Sequence, residues 1–229
     1  MSVQDVMQEL EALGTEQNRK VYVRHGVTGP QFGVSYGHLR PLAKRIKRDH
    51  ALARELWATG NHDARILACM IADPKQATRE ELEAWVLELD NYVISDGFSG
   101  LVMQSPHARA LAARWIDADG EWIEATGWNV LASLADDASQ PDELFQTVLP
   151  RIEQHIHSAK NRVRHSMNQA LITVGLRESL RQDALTVADS IGKVTVDHGE
   201  TGCVTPAARA YIEKTAAYRA QKAAKKQKA

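Results

Sequence analysis

The chain has 229 residues, of which 44% are hydrophobic and 25% charged, with a formal net charge of −1 at pH 7. This composition is typical of a folded globular protein and excludes general disorder. Because the total charge is near zero, only local clusters of charge can point to a nucleic-acid partner. No run approaches the roughly 18 apolar residues of a membrane span, and the start of the chain lacks a signal-peptide layout, so we expect a cytoplasmic protein.

Apolar residues recur at helical spacing along nearly the whole chain, and the alternation typical of strands is hard to find. Leu82, Trp85 and Leu89 form one such stripe, and Thr78 and Glu81 before it have the spacing of a capping box. Proline dipeptides mark further helix starts, and several glycines mark helix ends: Ser105-Pro106, Gln140-Pro141 and Thr205-Pro206, then Gly14, Gly60, Gly175 and Gly192. The pattern predicts an all-α fold of about a dozen helices joined by short turns.

Tryptophans at 57, 85 and 115 each lie near the predicted end of a helix, and a second apolar helix follows each one. This weak period predicts stacked helix pairs in a HEAT-like helical-repeat solenoid, an α-α superhelix. The alternative is an irregular helical bundle in which the tryptophan spacing arises by chance. We predict a single HEAT-like domain over residues 1–217 and a basic, disordered tail or frayed helix over 218–229.

Charges of opposite sign are segregated along the chain. Five cations lie between Arg40 and Arg48, whereas residues 80–90 are acidic. Such segregation is typical of a protein with one surface that faces phosphates, and it makes Arg40 and Lys44 candidate DNA-binding residues. The alternative is a solvated helix face.

The segment 161–171 predicts a helix with two different faces. Val163 and Met167 fall on one side, and Arg162, His165 and Gln169 fall on the other. Arg162 and Arg164 come early in this helix, at the end where the helix dipole disfavours a cation. A bound phosphate would explain them, because free backbone N–H groups and a guanidinium can bind the same anion. The candidate DNA-binding residues of this helix are therefore Arg162, Arg164, His165 and Gln169. Pairing of these arginines with nearby carboxylates is the alternative.

Tyr92 and Asp96 are four residues apart and are expected to share a helix face. The tyrosine ring can stack on a base or a sugar, and the carboxylate can stabilise a developing cation. These two residues are the candidate catalytic residues. A half-buried tyrosine beside an aspartate at the start of a helix is the structural alternative.

In the order and spacing of three segments the chain resembles the AlkD-like DNA alkylation repair proteins, which are HEAT-like-repeat alkylpurine DNA glycosylases. The segments are 36–44 (Tyr-Gly-His-Leu-Arg-Pro-Leu-Ala-Lys), the turn His62-Asp63-Ala64-Arg65, and the helix 161–175. The resemblance covers most of the chain and adds Arg65 to the candidate DNA-binding residues.

Active members of that family combine a tryptophan, an aspartate four residues later, an arginine two helices on and a second tryptophan. The resemblance places Tyr92, Asp96, Ala125 and Gln169 at these four positions, so only the aspartate is kept. It implies a protein that binds double-stranded, alkylated or damaged DNA. Such a protein would release cationic alkylated purines with Asp96 as the stabilising carboxylate.

Two other functions stay open at this point: a non-catalytic protein that recognises DNA structure, and a protein-interaction solenoid. We expect no small-molecule cofactor and no metal. Asp197, His198, Glu200 and Cys203 carry metal-ligating groups, but their spacing matches no standard zinc pattern, and a hydrogen-bonded turn is the preferred interpretation.

Overall fold

A computed structural model describes residues 1–227, and every regular element in that range is a helix. The first seven helices are α1 (Val3–Leu13), α2 (Glu16–Arg24), α3 (Tyr36–Ile46), α4 (His50–Ala58), α5 (His62–Ile71), α6 (Arg79–Val86) and α7 (Tyr92–Val102). The others are α8 (Ala108–Trp115), α9 (Glu121–Asp136), α10 (Glu143–Gln146), α11 (Leu149–His155), α12 (Asn161–Gly175), α13 (Arg181–Ile191) and α14 (Ala208–Gln227). The prediction of an all-α fold is confirmed.

The chain divides into two compact units. Unit 1 comprises Met1–Leu111 together with His198–Gly202, and unit 2 comprises Ala112–Asp197 together with Cys203–Ala229. In unit 1, α5 is the central helix, because α3, α4 and α7 all pack on it. In unit 2, α12 has this role and packs on α9, α13 and α14.

The tryptophans that suggested a repeat lie where the sequence placed them, at or next to the last residue of α4, α6 and α8. All three are buried. Trp57 and Trp85 stack face to face, with ring centroids 4.3 Å apart and an angle of 2° between the planes, and Phe98 of α7 tilts against Trp57. The period therefore reflects equivalent positions in successive helix pairs.

The observed starts of the helices match the predicted ones in part. The Thr78 hydroxyl caps α6 by accepting from the Glu81 N–H, as predicted, but the Glu81 carboxylate pairs with His50 at 3.0 Å instead of closing the capping box. The three helices predicted to begin at a proline each begin two residues after it, at Ala108, Glu143 and Ala208.

The final helix, α14, includes most of the residues predicted to form a tail. Residues 218–227 belong to α14, so the predicted boundary at 217 falls within a helix, and Lys228 and Ala229 lie outside the described residues. The division of the chain into a domain and a tail stays a prediction. Within residues 1–227, no helix is long and apolar enough to cross a membrane.

The close approach of α8 and α9 in unit 2 gives a test of the packing. A Cβ atom added to Gly127 would lie 2.7 Å from the Ile116 backbone nitrogen, a contact that requires the backbone to move. We expect Gly127→Ala to lower the free energy of unfolding by about 1–3 kcal/mol, measured by urea denaturation.

Gly100→Ala is the matched control, because Gly100 also lies inside a helix but faces open space. There the methyl group restricts only the unfolded chain, and we expect a gain of about 0.5–1 kcal/mol. Equal effects of the two substitutions would contradict the close packing of α8 and α9.

Candidate nucleic-acid interface

Helix α3 carries a half-buried tyrosine followed by two exposed cations. Tyr36, Arg40 and Lys44 are spaced by four residues and lie on one face, while Leu39 and Leu42 are buried on the other. The Arg40 guanidinium lies over the Tyr36 ring, 5.8 Å from its centroid. Lys44 is exposed and makes no ion pair within residues 1–227. We call Tyr36, Arg40 and Lys44 the α3 face.

The other arginines of this basic run have structural partners. Arg45 forms a salt bridge with Glu9, and Arg48 donates to the Ala72 carbonyl and to the Gln104 side-chain oxygen. The run of cations in the sequence therefore divides into side chains that hold unit 1 together and side chains that face solvent. Sequence spacing alone did not separate the two groups.

A buried carboxylate positions the start of α3. Asp63, in the first turn of α5, is fully buried and accepts hydrogen bonds from the backbone N–H groups of Phe32, Gly33 and Val34, at 2.6, 3.1 and 2.8 Å. Gly33 has a φ of +79°, which favours glycine, and the helix begins three residues later. Asp63 therefore fixes the loop that leads into the α3 face.

The neighbouring groups tie down the same loop. The His62 backbone N–H donates to the Pro30 carbonyl at 2.8 Å, and the Tyr22 hydroxyl donates to the Val34 carbonyl at 2.6 Å. Burial lowers the pKa of His62 and raises that of Tyr22 to about 12. Both side chains are therefore uncharged at neutral pH and suit an apolar interior.

Arg65, which the family resemblance made a DNA-binding candidate, is already bound within unit 1. Its guanidinium forms a salt bridge with Glu88, donates to the Glu88 and Trp57 carbonyls, and lies 5.0 Å from the centroid of the Trp57 ring. Its side chain is 14% exposed. This placement gives Arg65 a structural role, and we do not include it in the proposed interface.

Helix α7 presents the two candidate catalytic residues. The buried Asn91 side chain caps the helix by accepting from the Ile94 N–H at 3.1 Å, which places Tyr92 at the first helical position. The Tyr92 hydroxyl shares a hydrogen bond with His25 Nδ1, and their rings meet edge to face with centroids 5.6 Å apart. Tyr92 is half-buried, and Asp96, one turn later, is exposed.

Electrostatic effects connect α7 with the α3 face. Burial raises the pKa of the Tyr36 hydroxyl, the charge of Asp96 acts in the same direction, and Arg40 opposes it. Burial lowers the pKa of His25, and the nearby charge of Arg24 adds to this effect. Asp96 and Arg40 are therefore both within electrostatic reach of Tyr36 in unit 1.

In unit 2 two groups at the start of α12 have partners within the protein. The Arg162 backbone N–H donates to a Glu121 carboxylate oxygen at 2.7 Å, so a carboxylate of the protein already caps this helix end. The Arg164 guanidinium donates to the Thr195 carbonyl at 2.9 Å. A phosphate at this helix end would have to replace these contacts, and its binding by Arg162 and Arg164 stays a prediction.

Residues 192–207 have no regular secondary structure, and the unit 2 parts of this segment lie along α12. Side chains of α12 form hydrogen bonds with this segment. Asn161 exchanges two 2.7 Å hydrogen bonds with the Asp197 backbone. His165 contacts the Thr205 hydroxyl at 3.4 Å, and Asn168 donates to the Pro206 carbonyl. Of the polar side chains predicted to bind DNA from α12, Arg164 and His165 thus have partners in this segment.

Within unit 1, Thr201 donates to the His198 carbonyl at 2.8 Å and closes the expected hydrogen-bonded turn. The described residues contain no group of three or more histidine, cysteine or acidic side chains placed to bind a metal ion.

The remaining positions named by the resemblance belong to unit 2. Ala125 is buried in α9, with 2% of its surface exposed. Gln169 of α12 is half-buried, and its backbone carbonyl accepts from the Thr173 hydroxyl at 3.0 Å. Neither side chain supplies a cation or an aromatic ring.

Two features of the interface could not be read from the sequence. The triple hydrogen bond of Asp63 joins residues about 30 positions apart, and the segment along α12 pairs with side chains 31 to 40 positions away. An acid two residues after a helix-capping asparagine, in Asn61-His62-Asp63, was the available sequence signal for the first feature.

Comparisons with known proteins identify a family and several relatives. The model of the DNA alkylation repair enzyme family matches residues 6–190. Uncharacterised proteins of Listeria innocua and Listeria monocytogenes are 30% and 29% identical over 213 residues, covering 90% of this chain and 93% of each relative.

A solved structure aligns with a TM-score of 0.84 and 32% identity over 93% of both chains. It is described as a new family of proteins related to the HEAT-like repeat DNA glycosylases with affinity for branched DNA structures. The predicted HEAT-like helical fold and the family resemblance are both confirmed.

The role of Asp63 can be measured. We expect Asp63→Ala to lower the free energy of unfolding by at least about 3 kcal/mol, because three N–H groups next to α3 lose their acceptor. Asp49→Ala is the matched control: Asp49 caps α4 through one hydrogen bond, and its loss should cost about 1 kcal/mol. Urea denaturation measures both, and similar losses would contradict the role assigned to Asp63.

Proposed function

Because the chain belongs to the DNA alkylation repair enzyme family, we propose that it binds duplex DNA, branched or damaged, through the α3 face. In this proposal it recognises DNA structure and excises bases poorly or not at all. The solved relative described as having affinity for branched DNA supports this choice.

The α3 face is the observation that carries the proposal. An exposed cation without an ion pair, a second exposed cation held over an aromatic ring and the half-buried ring itself follow one another at one-turn intervals along the helix. Phosphate contacts supply most of the affinity of a protein for DNA, and helix-borne lysine and arginine side chains make such contacts. Two carboxylates of unit 1 are engaged with other arginines, Glu9 with Arg45 and Glu88 with Arg65.

The substitutions at the family positions favour recognition over catalysis. Tyr92 has its hydroxyl hydrogen-bonded to His25, and the buried methyl group of Ala125 cannot clamp a phosphate. Gln169 offers an amide in place of an aromatic surface on which a base could stack. Of the four positions, Asp96 alone keeps the chemistry that excision needs.

A second candidate function, slow excision of cationic bases, is supported by the exposed carboxylate of Asp96 on α7. A cationic alkylated purine leaves without prior protonation, and a carboxylate that faces the developing sugar cation accelerates its departure. Such a carboxylate contributes about 3–4 kcal/mol, or roughly 10²–10³-fold in rate.

The first test concerns binding. We expect Arg40→Glu combined with Lys44→Glu to weaken binding to duplex and branched DNA. The slope of log Kd against log salt should fall by about 2, because each lost phosphate contact changes the slope by about 0.9. Fluorescence anisotropy with labelled oligonucleotides at several salt concentrations measures both quantities.

Lys20→Glu combined with Lys75→Glu is the control, because it reverses the same total charge at two exposed lysines outside α3. Equal effects of the two double variants would show that only total charge matters and would remove the α3 face from the proposal. Wild-type protein that binds none of these DNA molecules would instead support the protein-interaction function.

The second test concerns catalysis. We expect no release of a neutral base, and any release of a cationic base from methylated duplex DNA should be slow and should disappear in Asp96→Asn. This variant keeps the size of the side chain and removes its charge. Chromatography of released bases measures the reaction, and rapid excision by the Asn variant would show that other residues carry it.

A further inference from the structure

Helix α14 has an exposed face on which tyrosines alternate with lysines. Tyr211, Lys214, Tyr218, Lys222 and Lys225 follow one another at intervals of three or four residues, so they line one side of the helix. The two tyrosines are 47% and 63% exposed, although they are among the largest apolar side chains of the protein. The three lysines are exposed and form no ion pair within residues 1–227. We call this set the α14 face.

The rest of α14 is anchored to unit 2. Ala208 and Ile212 are buried, and Ile212 packs so closely on Gly175 that a Cβ atom there would lie 2.6 Å from it. Arg209 pairs with Asp189 and Glu213, and Arg219 pairs with Asp136 at 2.8 Å. The arginines of α14 therefore hold the helix in place, while the members of the α14 face remain at the surface.

We propose that the α14 face binds unpaired nucleotides of DNA, with bases stacked on Tyr211 and Tyr218 and phosphates next to the lysines. This inference rests on the proposed DNA-binding function and adds a substrate class, DNA with a single-stranded arm or gap. Proteins that bind single-stranded nucleic acid combine a cationic track with aromatic stacking platforms, and both components are present on this face.

The spacing fits such a ligand. Seven residues separate the tyrosines, which corresponds to about 10.5 Å along a helix, or about three nucleotides of a stacked strand. A lysine lies between the two rings, and two more follow the second ring. One strand running along α14 would thus meet rings and cations in alternation.

Charge argues against a second copy of the chain as the occupant. Two α14 faces placed together would bring six lysines into one interface without a carboxylate on either face. A strand of DNA brings the opposite charge.

The experiment compares three labelled DNA molecules: a blunt duplex, a fully paired three-way junction, and the same junction with one single-stranded arm. We expect the wild-type protein to prefer the third molecule. Tyr211→Ala combined with Tyr218→Ala should reduce the affinity for it by at least about tenfold, because stacking of each base contributes substantially to binding. Affinity for the blunt duplex should change little.

The variants are chosen so that loss of folding does not decide the result. Both tyrosines are exposed, and alanine favours helix formation, so α14 should persist and circular dichroism can verify it. Val23→Ala combined with Leu87→Ala removes two exposed apolar side chains of unit 1 and should leave the preference intact. Phenylalanine at positions 211 and 218 restores the rings and should restore the preference.

Each remaining outcome has one meaning. Wild-type protein that binds the paired junction as tightly as the junction with a single-stranded arm would overturn the inference and leave the proposed function standing. Tighter binding to a single-stranded RNA of the same sequence would replace DNA as the ligand of this face. Absence of binding to all three DNA molecules would overturn the proposed function itself.

Discussion

The buried carboxylate of Asp63 is the interaction on which the proposed DNA surface depends. A charge in a protein interior is tolerated only when polar partners surround it, and here three consecutive backbone N–H groups do so. These groups belong to the loop that ends at the first turn of α3, so the direction of that helix follows from a contact inside unit 1. Surface and interior are thus linked through one side chain that has no direct part in binding.

Arginine and lysine have different uses in this protein. Arg48, Arg65, Arg151 and Arg177 each donate to at least one backbone carbonyl, and the last three also pair with a carboxylate. A planar guanidinium with several donors suits such multiple contacts, whereas an ammonium group keeps its hydration and its mobility. The cations left for a polyanion are therefore mostly lysines, which explains how a chain with a net charge of −1 presents basic faces.

The sequence predicted features that depend on neighbouring residues, but not contacts between residues far apart in the chain. Periodicity and caps identified the helices, and the tryptophans marked equivalent positions in α4, α6 and α8, because these signals depend on residues a few positions apart. The contacts of Arg65 and Arg164 within the protein could not be predicted because their partners, Glu88 and Thr195, are 23 and 31 residues away. Charge runs such as 40–48 do not reveal which members are paired. That distinction requires the packed structure.

The stacked indoles of Trp57 and Trp85 have a consequence for spectroscopy. Two parallel chromophores 4.3 Å apart do not absorb and emit independently, since their electronic transitions couple at this distance. Trp115, Trp122 and Trp128 belong to unit 2, so this coupled pair gives unit 1 an optical signature of its own. Loss of the signature on heating or in denaturant reports the separation of α4 from α6, independently of what happens to the helices around α12.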